Sequence, residues 1–308
     1  MRNVKLLAPS YYQKFHCIAD RCRHNCCIGW EIDIDDRALT AYGALQGEIG
    51  KKICQSIEWG ADGAHFRLQP NGRCTQLSDR GLCRIITALG EGYLCEICRE
   101  HPRFYHTVGD TLEVGLGAAC EEAARLILAE ADYATLLPVG EAEVNAAAPA
   151  AFDVAARRAA LFSVLGDPTL PYEVRREAVN RDFGLGAQPT PQAVCELFAS
   201  LEYLEVAHRD LFLRALGEAS PADRVSADAR ERFLAYLVYR HASPSQTLRE
   251  FRTAVSLALL LEQLFARLVA CCGLDAVEAA RIISEELEYS EENTEAIRFT
   301  LELGAFPT

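Results

Sequence analysis

Clustered cysteines constrain this chain more than any other feature of its sequence. Ten of its 13 cysteines lie within the first 120 of 308 residues. Structural disulfides are rare in cytosolic chains, so grouped cysteines there usually bind a metal or take part in redox chemistry. Thiolates are soft ligands for zinc, copper(I) and iron–sulfur clusters, and four of them complete a zinc site or one cubane cluster. We therefore expect the first part of the chain to fold around a metal.

The candidate ligands fall into three groups and one isolated position. The first group has the spacing Cys-x4-Cys-x3-Cys-Cys, the second is a pair of cysteines beside glycine turns, and the third is Cys-x2-Cys. Short spacings let two sulfurs reach one metal, and long gaps tie distant loops together through that metal. The nine predicted metal ligands are Cys17, Cys22, Cys26, Cys27, Cys74, Cys83, Cys95, Cys98 and Cys120.

The sequence leaves open both the metal and the choice of ligands. Nine candidates exceed one four-thiolate site, and only Cys95 and Cys98 form the tidy pair typical of zinc modules. Free buried thiols that pack as small apolar side chains are one alternative. A disulfide framework is another, and the odd number of cysteines disfavours it. Four further cysteines occur in helix-like stretches and are predicted to belong to the core: Cys54, Cys195, Cys271 and Cys272.

Charge and apolar patterning favour a soluble, cytoplasmic protein. The first 15 residues hold no apolar segment of signal-peptide length. The longest apolar run, near Val255 to Leu261, is interrupted by Glu262 and Arg267 and is too short to cross a bilayer. The net charge of −13 disfavours nucleic-acid binding, which needs cations to replace the counterions on phosphate. We expect no membrane and no nucleic-acid partner, and the oligomeric state is not predicted.

Composition divides the chain into two predicted domains. Residues 1–110 hold 14 basic and 13 acidic residues, whereas residues 111–308 hold 17 basic and 31 acidic residues. A stretch of Gly, Glu, Ala and Pro over Val139–Ala151 is typical of a linker. The predicted fold is therefore mainly α. A cysteine-rich metal-cluster domain with a small β-hairpin occupies residues 1–138, and an all-helical domain occupies residues 150–308.

Periodicity and turn residues predict the individual elements. Alternation predicts a strand over Trp30–Asp35, followed by an Asp-capped helix over Asp36–Ile49. A hairpin is expected from Arg103–Val108 and Thr111–Leu116, joined by a Gly-Asp turn. A helix over Ala119–Ala131 should follow. Further helices are predicted over Phe152–Leu165, Pro191–Gly217, Ala222–His241, Ser245–Cys272, Leu274–Leu287 and Ser290–Leu303.

The cysteine groups resemble those of a known family. The chain is similar to the N-terminal signature of the bacterial flagellin lysine-N-methylase family at Pro9-x-Tyr11, Phe15-x-Cys17 and Cys22-x3-Cys26-Cys27-x-Gly29-Trp30-x-Ile32-x-Ile34-Asp35. The likeness continues through Arg73-Cys74, Gly81-Leu82-Cys83, Leu89-Gly90-Glu91, Leu94-Cys95-x2-Cys98, Pro102-Arg103 and Cys120-x-Glu122-Ala123-Ala124-Arg125. It spans residues 9–130. A looser resemblance links the same core to small zinc- or iron-chelating cysteine-cluster proteins.

The resemblance implies an enzyme, a protein lysine N-methyltransferase that moves a methyl group from S-adenosylmethionine to lysine side chains of flagellin or a similar acceptor. It also implies a [4Fe–4S] cluster held by the N-terminal cysteines. Family members are often longer, and the shortfall lies in the second half of the chain, where no shared motif occurs. The resemblance therefore specifies the metal chemistry better than it specifies the acceptor protein. The implied ligands are among Cys22, Cys26, Cys27, Cys74, Cys83, Cys95 and Cys98.

Lysine methylation needs a group that takes a proton from the amine, whose free pKa is about 10.4. Arg99 and Arg103 are predicted to bind the carboxylate of S-adenosylmethionine, because a guanidinium suits planar carboxylates. Structural roles are the alternative for every candidate: hydrogen bonding in a hairpin for Tyr and His, a solvated helix face for Glu, and, for the two arginines, compensation of the charge of the cluster or of an acid such as Glu100. The predicted catalytic residues, chosen because they lie near the Cys-x2-Cys pair, are Tyr93, Glu96, His101 and Tyr105.

The sequence also allows alternatives to a cluster-containing lysine methyltransferase to be compared. Gly115 and Gly117 faintly resemble a methyltransferase cofactor loop, but no β-α alternation follows, so a Rossmann-type enzyme is not predicted. The Cys-x3-Cys-x2-Cys signature of radical enzymes is missing. The alternative function is a non-enzymatic zinc- or iron-binding module that braces a helical interaction domain. A redox sensor based on Cys26-Cys27 or Cys95-x2-Cys98 is a third hypothesis, which requires exposed thiols of low pKa.

Overall fold

Helices make up most of the secondary structure, which confirms a mainly α fold. The structure is a computed structural model that describes residues 2–61, 63–144, 152–186, 189–218 and 225–305. Its strands are β1 (Arg2–Pro9), β2 (Ile32–Asp33), β3 (Ile57–Trp59), β4 (Ala64–Phe66), β5 (Arg103–Val108), β6 (Thr111–Leu116) and β7 (Leu136–Val144). Its helices are α1 (Asp36–Ala44), α2 (Gly47–Gln55), α3 (Arg84–Leu89), α4 (Glu96–Glu100), α5 (Glu121–Ala129), α6 (Val154–Leu165), α7 (Tyr172–Phe183), α8 (Pro191–Ser200), α9 (Val206–Gly217), α10 (Ala227–Ala242), α11 (Leu248–Cys272), α12 (Ala276–Ile283) and α13 (Glu291–Ala305).

Strand β1 pairs with strands from much later in the chain. It runs parallel to β6 and antiparallel to β7, and β5 completes a sheet of order β5-β6-β1-β7. Leu6 lies opposite Leu112 of β6 and opposite Gly140 of β7. This pairing joins residues 1–15 to residues 104–308 in one compact unit, called here the helical unit. Residues His16–Arg103 form a second compact unit, the cysteine unit.

These two units differ from the predicted domains of residues 1–138 and 150–308. Both hairpin strands form with the predicted bounds. Their sheet belongs mainly to the helical unit, because β6 pairs with β1 and β1 pairs with β7, two strands that were not predicted. The predicted linker is also partly structured. Residues 139–144 lie in β7, and residues 145–151 lie outside the described residues.

The cysteine unit has a small core of its own. Strands β2, β4 and β3 form an antiparallel sheet in that order, with Ile32 opposite Phe66. Asp35 caps α1 by accepting a hydrogen bond from the Ala38 amide at 3.0 Å, which satisfies one of the free amides of the first turn. This core supports the loops that carry the cysteines. Its largest buried side chains are Tyr42, Ile53, Phe66 and Ile85.

Helices α10 and α11 form the centre of the core in the helical unit. Helices α5 and α6 pack on α10, and α7, α9, α12 and α13 pack on α11. The rings of Phe233 on α10 and Phe265 on α11 lie 4.6 Å apart between centroids. Phe233 and Leu237 are four residues apart and both fully buried, so they lie on the face of α10 that packs in the core.

Most predicted helices form, with ends that shift by a few residues. Two predictions were too long: Asp36–Ile49 covers all of α1 and the start of α2, and Pro191–Gly217 divides into α8 and α9. The strand predicted over Trp30–Asp35 is reduced to β2, and α7 was not predicted. Helix α12 passes into a π-helical turn over Ser284–Glu288. Of the helix predicted over Ala222–His241, residues 222–224 lie outside the described part of the chain.

Helix α11 is the one helix, among the described residues, that is long and apolar enough to cross a membrane. It has 25 residues and is therefore much longer than the uninterrupted apolar run near Val255–Leu261. However, 67% of its most apolar 18-residue window is buried within the protein. Glu262 on this helix is fully buried and accepts hydrogen bonds from Arg176 at 2.5 Å and Arg230 at 2.6 Å. This burial and the paired charge are typical of a helix in the core of a folded domain.

Candidate metal centre

Five cysteines from three separate segments line one cavity in the cysteine unit. Cys27 comes from the first predicted group, Cys74 and Cys83 from the second, and Cys95 and Cys98 from the third. The cavity measures about 20 Å³, which is room for about one water molecule or one ion. The rest of its wall is mostly apolar and consists of Ile32, Tyr42, Phe66, Gln76, Ile85 and Leu94.

Hydrogen bonds between loops bring the first two groups together. The Cys74 amide donates to the Cys27 carbonyl at 2.8 Å. The side chain of Asn25 accepts from the Cys27 amide at 3.0 Å and donates to the Gly81 carbonyl at 3.1 Å. Gly81 has a φ of +73°, a conformation that glycine adopts without strain. Asn25 therefore ties the Cys27 loop to the turn that precedes Cys83.

Backbone amides face the sulfurs of Cys74, Cys83 and Cys95. The Gln76 amide donates to Cys74 Sγ at 3.4 Å. Cys83 and Cys95 are the N-cap residues of α3 and α4, where the free amides of the first turn favour a negative charge. Neither of these two sulfurs forms a full capping hydrogen bond. The backbone thus favours the thiolate form at three points around the cavity.

Burial, in contrast, favours the protonated thiol form of Cys74 and Cys83. It raises the pKa of both thiols, and the nearby amides only partly offset that rise. Cys95 raises the pKa of both thiols further, because a second negative charge in the same cavity is unfavourable. These thiols are therefore protonated at neutral pH unless a cation compensates their charge. A metal ion supplies such a charge and displaces the protons when it binds.

Two pairs of cysteines are joined by contacts between their sulfurs. The Cys27 thiol donates to Cys26, so the pKa of Cys26 falls and that of Cys27 rises. The Cys98 thiol donates to Cys95 in the same way, which lowers the pKa of Cys95 and raises that of Cys98. Cys26 is exposed, and an exposed thiol of lowered pKa is the reactive kind. The redox-sensor hypothesis for this pair therefore stays open.

The spacing of the sulfurs bears on the kind of metal. Among the residues described, no three cysteine sulfurs all lie within 4.8 Å of one another. Four thiolates on one zinc ion lie about 3.8 Å apart, given a Zn–S bond of about 2.3 Å. In a cubane cluster each thiolate binds a different iron, so the sulfurs lie further apart. The observed arrangement is not that of a closed zinc site.

Among the described residues, the one group of three ligand-type side chains whose atoms all lie within 4.8 Å of one another is His208, Glu285 and Glu286 of the helical unit. Its atoms already have protein partners. Glu286 accepts from His208 at 2.6 Å and from the amides of Leu204 and Glu205 at 2.7 and 3.1 Å. Glu285 accepts from the Arg281 side chain at 2.6 Å. This group is a structural bridge.

The remaining predicted ligands do not line the cavity. Cys17 is exposed, Cys22 is half-buried, and Cys120 is the N-cap of α5 in the helical unit. The prediction that Cys54 belongs to the core was wrong, because it lies exposed on α2. All 13 cysteines lie in described parts of the chain, and none forms a disulfide. The predicted core cysteines that are half-buried are Cys195, Cys271 and Cys272.

None of the four predicted catalytic residues lines the cysteine cavity. Tyr93 is 37% exposed, and Tyr105, which belongs to the helical unit, is 44% exposed. Glu96 begins α4 with an exposed side chain, and His101 follows the last residue of that helix. The geometry of these residues therefore does not single out a base, and their catalytic role stays a prediction.

The two predicted cofactor-binding arginines lie next to each other in the cysteine unit. Arg99 forms an ion pair with Glu100 at 3.2 Å. The Arg103 guanidinium donates to the Arg99 carbonyl at 3.2 Å. A partly exposed Arg–Glu pair contributes little to stability, so Arg99 can exchange Glu100 for another carboxylate at low cost. Binding of a donor carboxylate by these residues stays a prediction.

Three residues in and beside α1 were not predicted as part of the site. Asp35, Arg37 and Tyr42 all hydrogen-bond to residues 92–96, which carry Cys95. Asp35 was predicted only as a helix cap, although a carboxylate has a second oxygen for another donor. That donor is 61 residues away, which no local pattern reveals.

Gly115 and Gly117, at the end of β6, accommodate neighbouring side chains. A Cβ at Gly115 would overlap the Phe104 ring, and one at Gly117 would overlap the Tyr289 hydroxyl and the Arg240 guanidinium. The guanidinium of Arg240 lies between the rings of Phe104 and Tyr289, at 4.9 and 4.8 Å from their centroids. Packing against this stack accounts for both glycines.

Comparison with known proteins gives no assignment for the chain. It matches no protein-family model, no curated protein and no solved structure. The resemblance of residues 9–130 to the flagellin lysine-N-methylase family therefore stays a prediction. The geometry of the cysteine unit is the independent observation on which a functional proposal can rest.

Proposed function

We propose that the cysteine unit holds a thiolate-bound [4Fe–4S] cluster and that the protein is an S-adenosylmethionine-dependent protein lysine N-methyltransferase. The observation that carries the metal centre is the convergence of five cysteines on one buried, largely apolar cavity. Free thiols are the donors that iron–sulfur clusters need. The methyl-transfer activity rests on the resemblance of residues 9–130.

Two features support a cluster in preference to a single zinc ion. No three of the described cysteine sulfurs lie within 4.8 Å of one another, as three ligands of one zinc ion would. The cavity wall is also largely apolar, and such a wall limits solvent access and helps to set the reduction potential of a cluster. The proposed ligands are four of the five cavity cysteines: Cys27, Cys74, Cys83, Cys95 and Cys98.

In the proposed reaction the lysine nitrogen attacks the methyl carbon of the sulfonium. The carbon–sulfur bond breaks, and its electron pair stays on sulfur. The amine must first lose a proton, because its free pKa is about 10.4 and only the neutral form attacks. Desolvation lowers that pKa, and Tyr93, Glu96, His101 and Tyr105 are the proposed proton acceptors. When bound, the cluster would offer a fixed site for the polar groups of the donor.

The alternative is a non-enzymatic zinc- or iron-binding module that braces a helical interaction domain. One observation favours it: the candidate catalytic residues lie outside the cavity wall, which has room for about one ion. The acidic residues of the second half of the chain would then favour a basic partner. In this case the protein would bind zinc with fixed stoichiometry and would not bind S-adenosylmethionine.

We further propose that the protein acts in the cytoplasm on a lysine-bearing protein, with flagellin as the first acceptor to test. The absence of disulfides among its 13 cysteines, all of them in described segments, agrees with a reducing compartment. Its net charge of −13 favours a basic protein surface over nucleic acid as a partner.

Binding of the methyl donor tests the enzymatic proposal. Protein would be purified and reconstituted without oxygen, and binding of S-adenosylmethionine would be measured by equilibrium dialysis. Transfer of labelled methyl groups to flagellin would be measured in parallel. We expect saturable binding in the metal-loaded protein and loss of binding in the metal-free protein. Metal-loaded protein without saturable binding would contradict the enzyme and support the metal module.

A further inference from the structure

One carboxylate links helix α1 to the segment that carries Cys95 and Cys98. Asp35 accepts from the Ala38 amide with Oδ1 at 3.0 Å and from the Glu96 amide with Oδ2 at 2.6 Å. The first bond caps α1, and the second holds the first residue of α4. The two bonds lower the pKa of Asp35 against the opposing effect of its partial burial, so this group is a carboxylate at neutral pH.

Two further side chains of α1 bond to the same segment. Arg37 donates to the carbonyls of Gly92 and Leu94 at 3.2 and 2.6 Å. Tyr42 donates to the carbonyl of Tyr93 at 2.7 Å. Together with the bond from the Glu96 amide, these contacts fix the backbone over residues 92–96. Arg37 and Tyr42 thus bond to the carbonyls of three consecutive residues, 92, 93 and 94, which side chains that only filled space would not do.

The bonds lie on both sides of one cavity cysteine. The Leu94 carbonyl and the Glu96 amide are the backbone groups directly before and after Cys95, so its main chain is held at each end. Tyr42 has no exposed surface, and its ring forms part of the cavity wall. Cys98 follows on the single-turn helix α4, whose start is set by the same contacts.

We propose that Asp35, Arg37 and Tyr42 are positioning residues that hold the sulfurs of Cys95 and Cys98 in place for the metal. This inference rests on the proposed metal centre. Groups that orient metal ligands from outside typically change metal affinity about 10- to 100-fold when they are lost. If these hydrogen bonds served only to stabilise the fold, their loss would lower thermal stability and leave the affinity for the metal unchanged.

Two conservative variants distinguish positioning of the metal ligands from stabilisation of the fold, and each has a matched control. Asp35→Asn keeps an oxygen for the helix cap but places an amide group against the Glu96 amide. Asp153→Asn is its control, because Asp153 caps α6 through the Ala156 amide at 2.9 Å and lies in the helical unit. Both Asn variants retain a good N-cap residue.

Tyr42→Phe removes only the hydroxyl that donates to the Tyr93 carbonyl. Its control is Tyr203→Phe in the helical unit, where the hydroxyl donates to the Phe198 carbonyl at the same 2.7 Å. Both substitutions remove one hydrogen bond from a phenol to a backbone carbonyl, and a typical bond of this kind contributes about 0.5–1.5 kcal/mol. Equal loss of thermal stability is therefore expected from the two.

The measurement is the rate at which a chelator removes the metal from full-length protein loaded without oxygen, together with the visible spectrum. We expect removal to be about tenfold faster in Asp35→Asn and Tyr42→Phe, with a shifted spectrum, and unchanged in both controls. Wild-type protein that binds metal while all four variants behave alike would overturn this inference alone. Wild-type protein that binds no metal would overturn the proposed centre and this inference with it.

Discussion

Cysteines that line the cavity should contribute to metal binding, and cysteines that do not line it should not. Cys74 is buried at the cavity, whereas Cys17 is exposed and Cys120 lies in the helical unit. Serine has a similar shape to cysteine but is a poor ligand for soft metals. Serine substitutions at the three positions therefore change the donor atom with little change in volume.

We predict that Cys74→Ser lowers metal affinity by more than about tenfold, since even partners outside the ligand set contribute that much. Cys17→Ser and Cys120→Ser should retain the metal content of the wild type. Inductively coupled plasma analysis of protein purified without oxygen gives the comparison. Equal metal loss in all three variants would show that the cavity does not mark the ligands.

The close approach at Gly115 gives a second prediction. A methyl group there would meet the Phe104 ring, which also packs against Arg240 and Tyr239. Gly115→Ala should destabilise the protein by about 1–3 kcal/mol, as overpacking in cores does. Gly217→Ala is the control, because nothing lies within 4 Å of a Cβ at that helical position. Urea unfolding measures both, and an unchanged Gly115→Ala variant would rule out the packing role.

The five cavity cysteines were all among the nine predicted ligands, because spacing along the chain identifies clusters of donors in any fold. Which of them face one cavity could not be predicted. That choice depends on Asn25, which bonds to a carbonyl 56 residues away, and on Asp35, which bonds to an amide 61 residues away. Side chains that act over such separations leave no periodic signal in the sequence.

A buried ion pair joins strand β6 to helix α6. Arg158 donates to both carboxylate oxygens of Glu113 at 2.7 Å, and its guanidinium also contacts Ser243. The two side chains are only 7% and 3% exposed. Removal of one partner would leave the other charge buried without compensation, which is far more costly than loss of a pair in water.

We predict that Arg158→Met destabilises the protein by about 3–5 kcal/mol, while Arg158→Met combined with Glu113→Met is close to the wild type. Arg181→Met removes an exposed pair with Asp182 and should leave stability unchanged. Denaturant unfolding of the four proteins provides the test. A double variant as unstable as the single one would show that the pair does not act as a unit.

Long-range bonds also explain where the helix predictions failed. One continuous helix was predicted over Pro191–Gly217, yet the chain leaves the helix between α8 and α9. Asn293 accepts from the Glu202 amide, and Glu286 accepts from the amides of Leu204 and Glu205. These partners lie 81 to 91 residues away and replace the helical bonds. Local periodicity identified the helices but could not place this break.

Stability of the whole protein should depend on pH through His208. Burial lowers the pKa of His208, but its hydrogen bond to Glu286 and the nearby acids outweigh burial and raise it above the ordinary value. A raised pKa stabilises the fold fully below the unfolded-state value of about 6.5. This contribution is lost as the pH rises through the folded-state pKa.

We therefore predict that the wild type loses more stability between pH 6 and pH 9 than His208→Gln does. At pH 6 the variant should be less stable by roughly 1.5–3 kcal/mol, the contribution of a hydrogen bond to a charged group. Urea unfolding at both pH values measures the difference. Parallel pH profiles for the two proteins would show that His208 is not charged in the fold.

Metal and sulfide analysis of the full chain, purified without oxygen and recorded with its visible spectrum, tests the proposed cluster most directly. The account predicts iron with acid-labile sulfide and a broad charge-transfer absorption, with a lower iron content in Cys74→Ser. Zinc as the only bound metal, or protein without any metal, would contradict it.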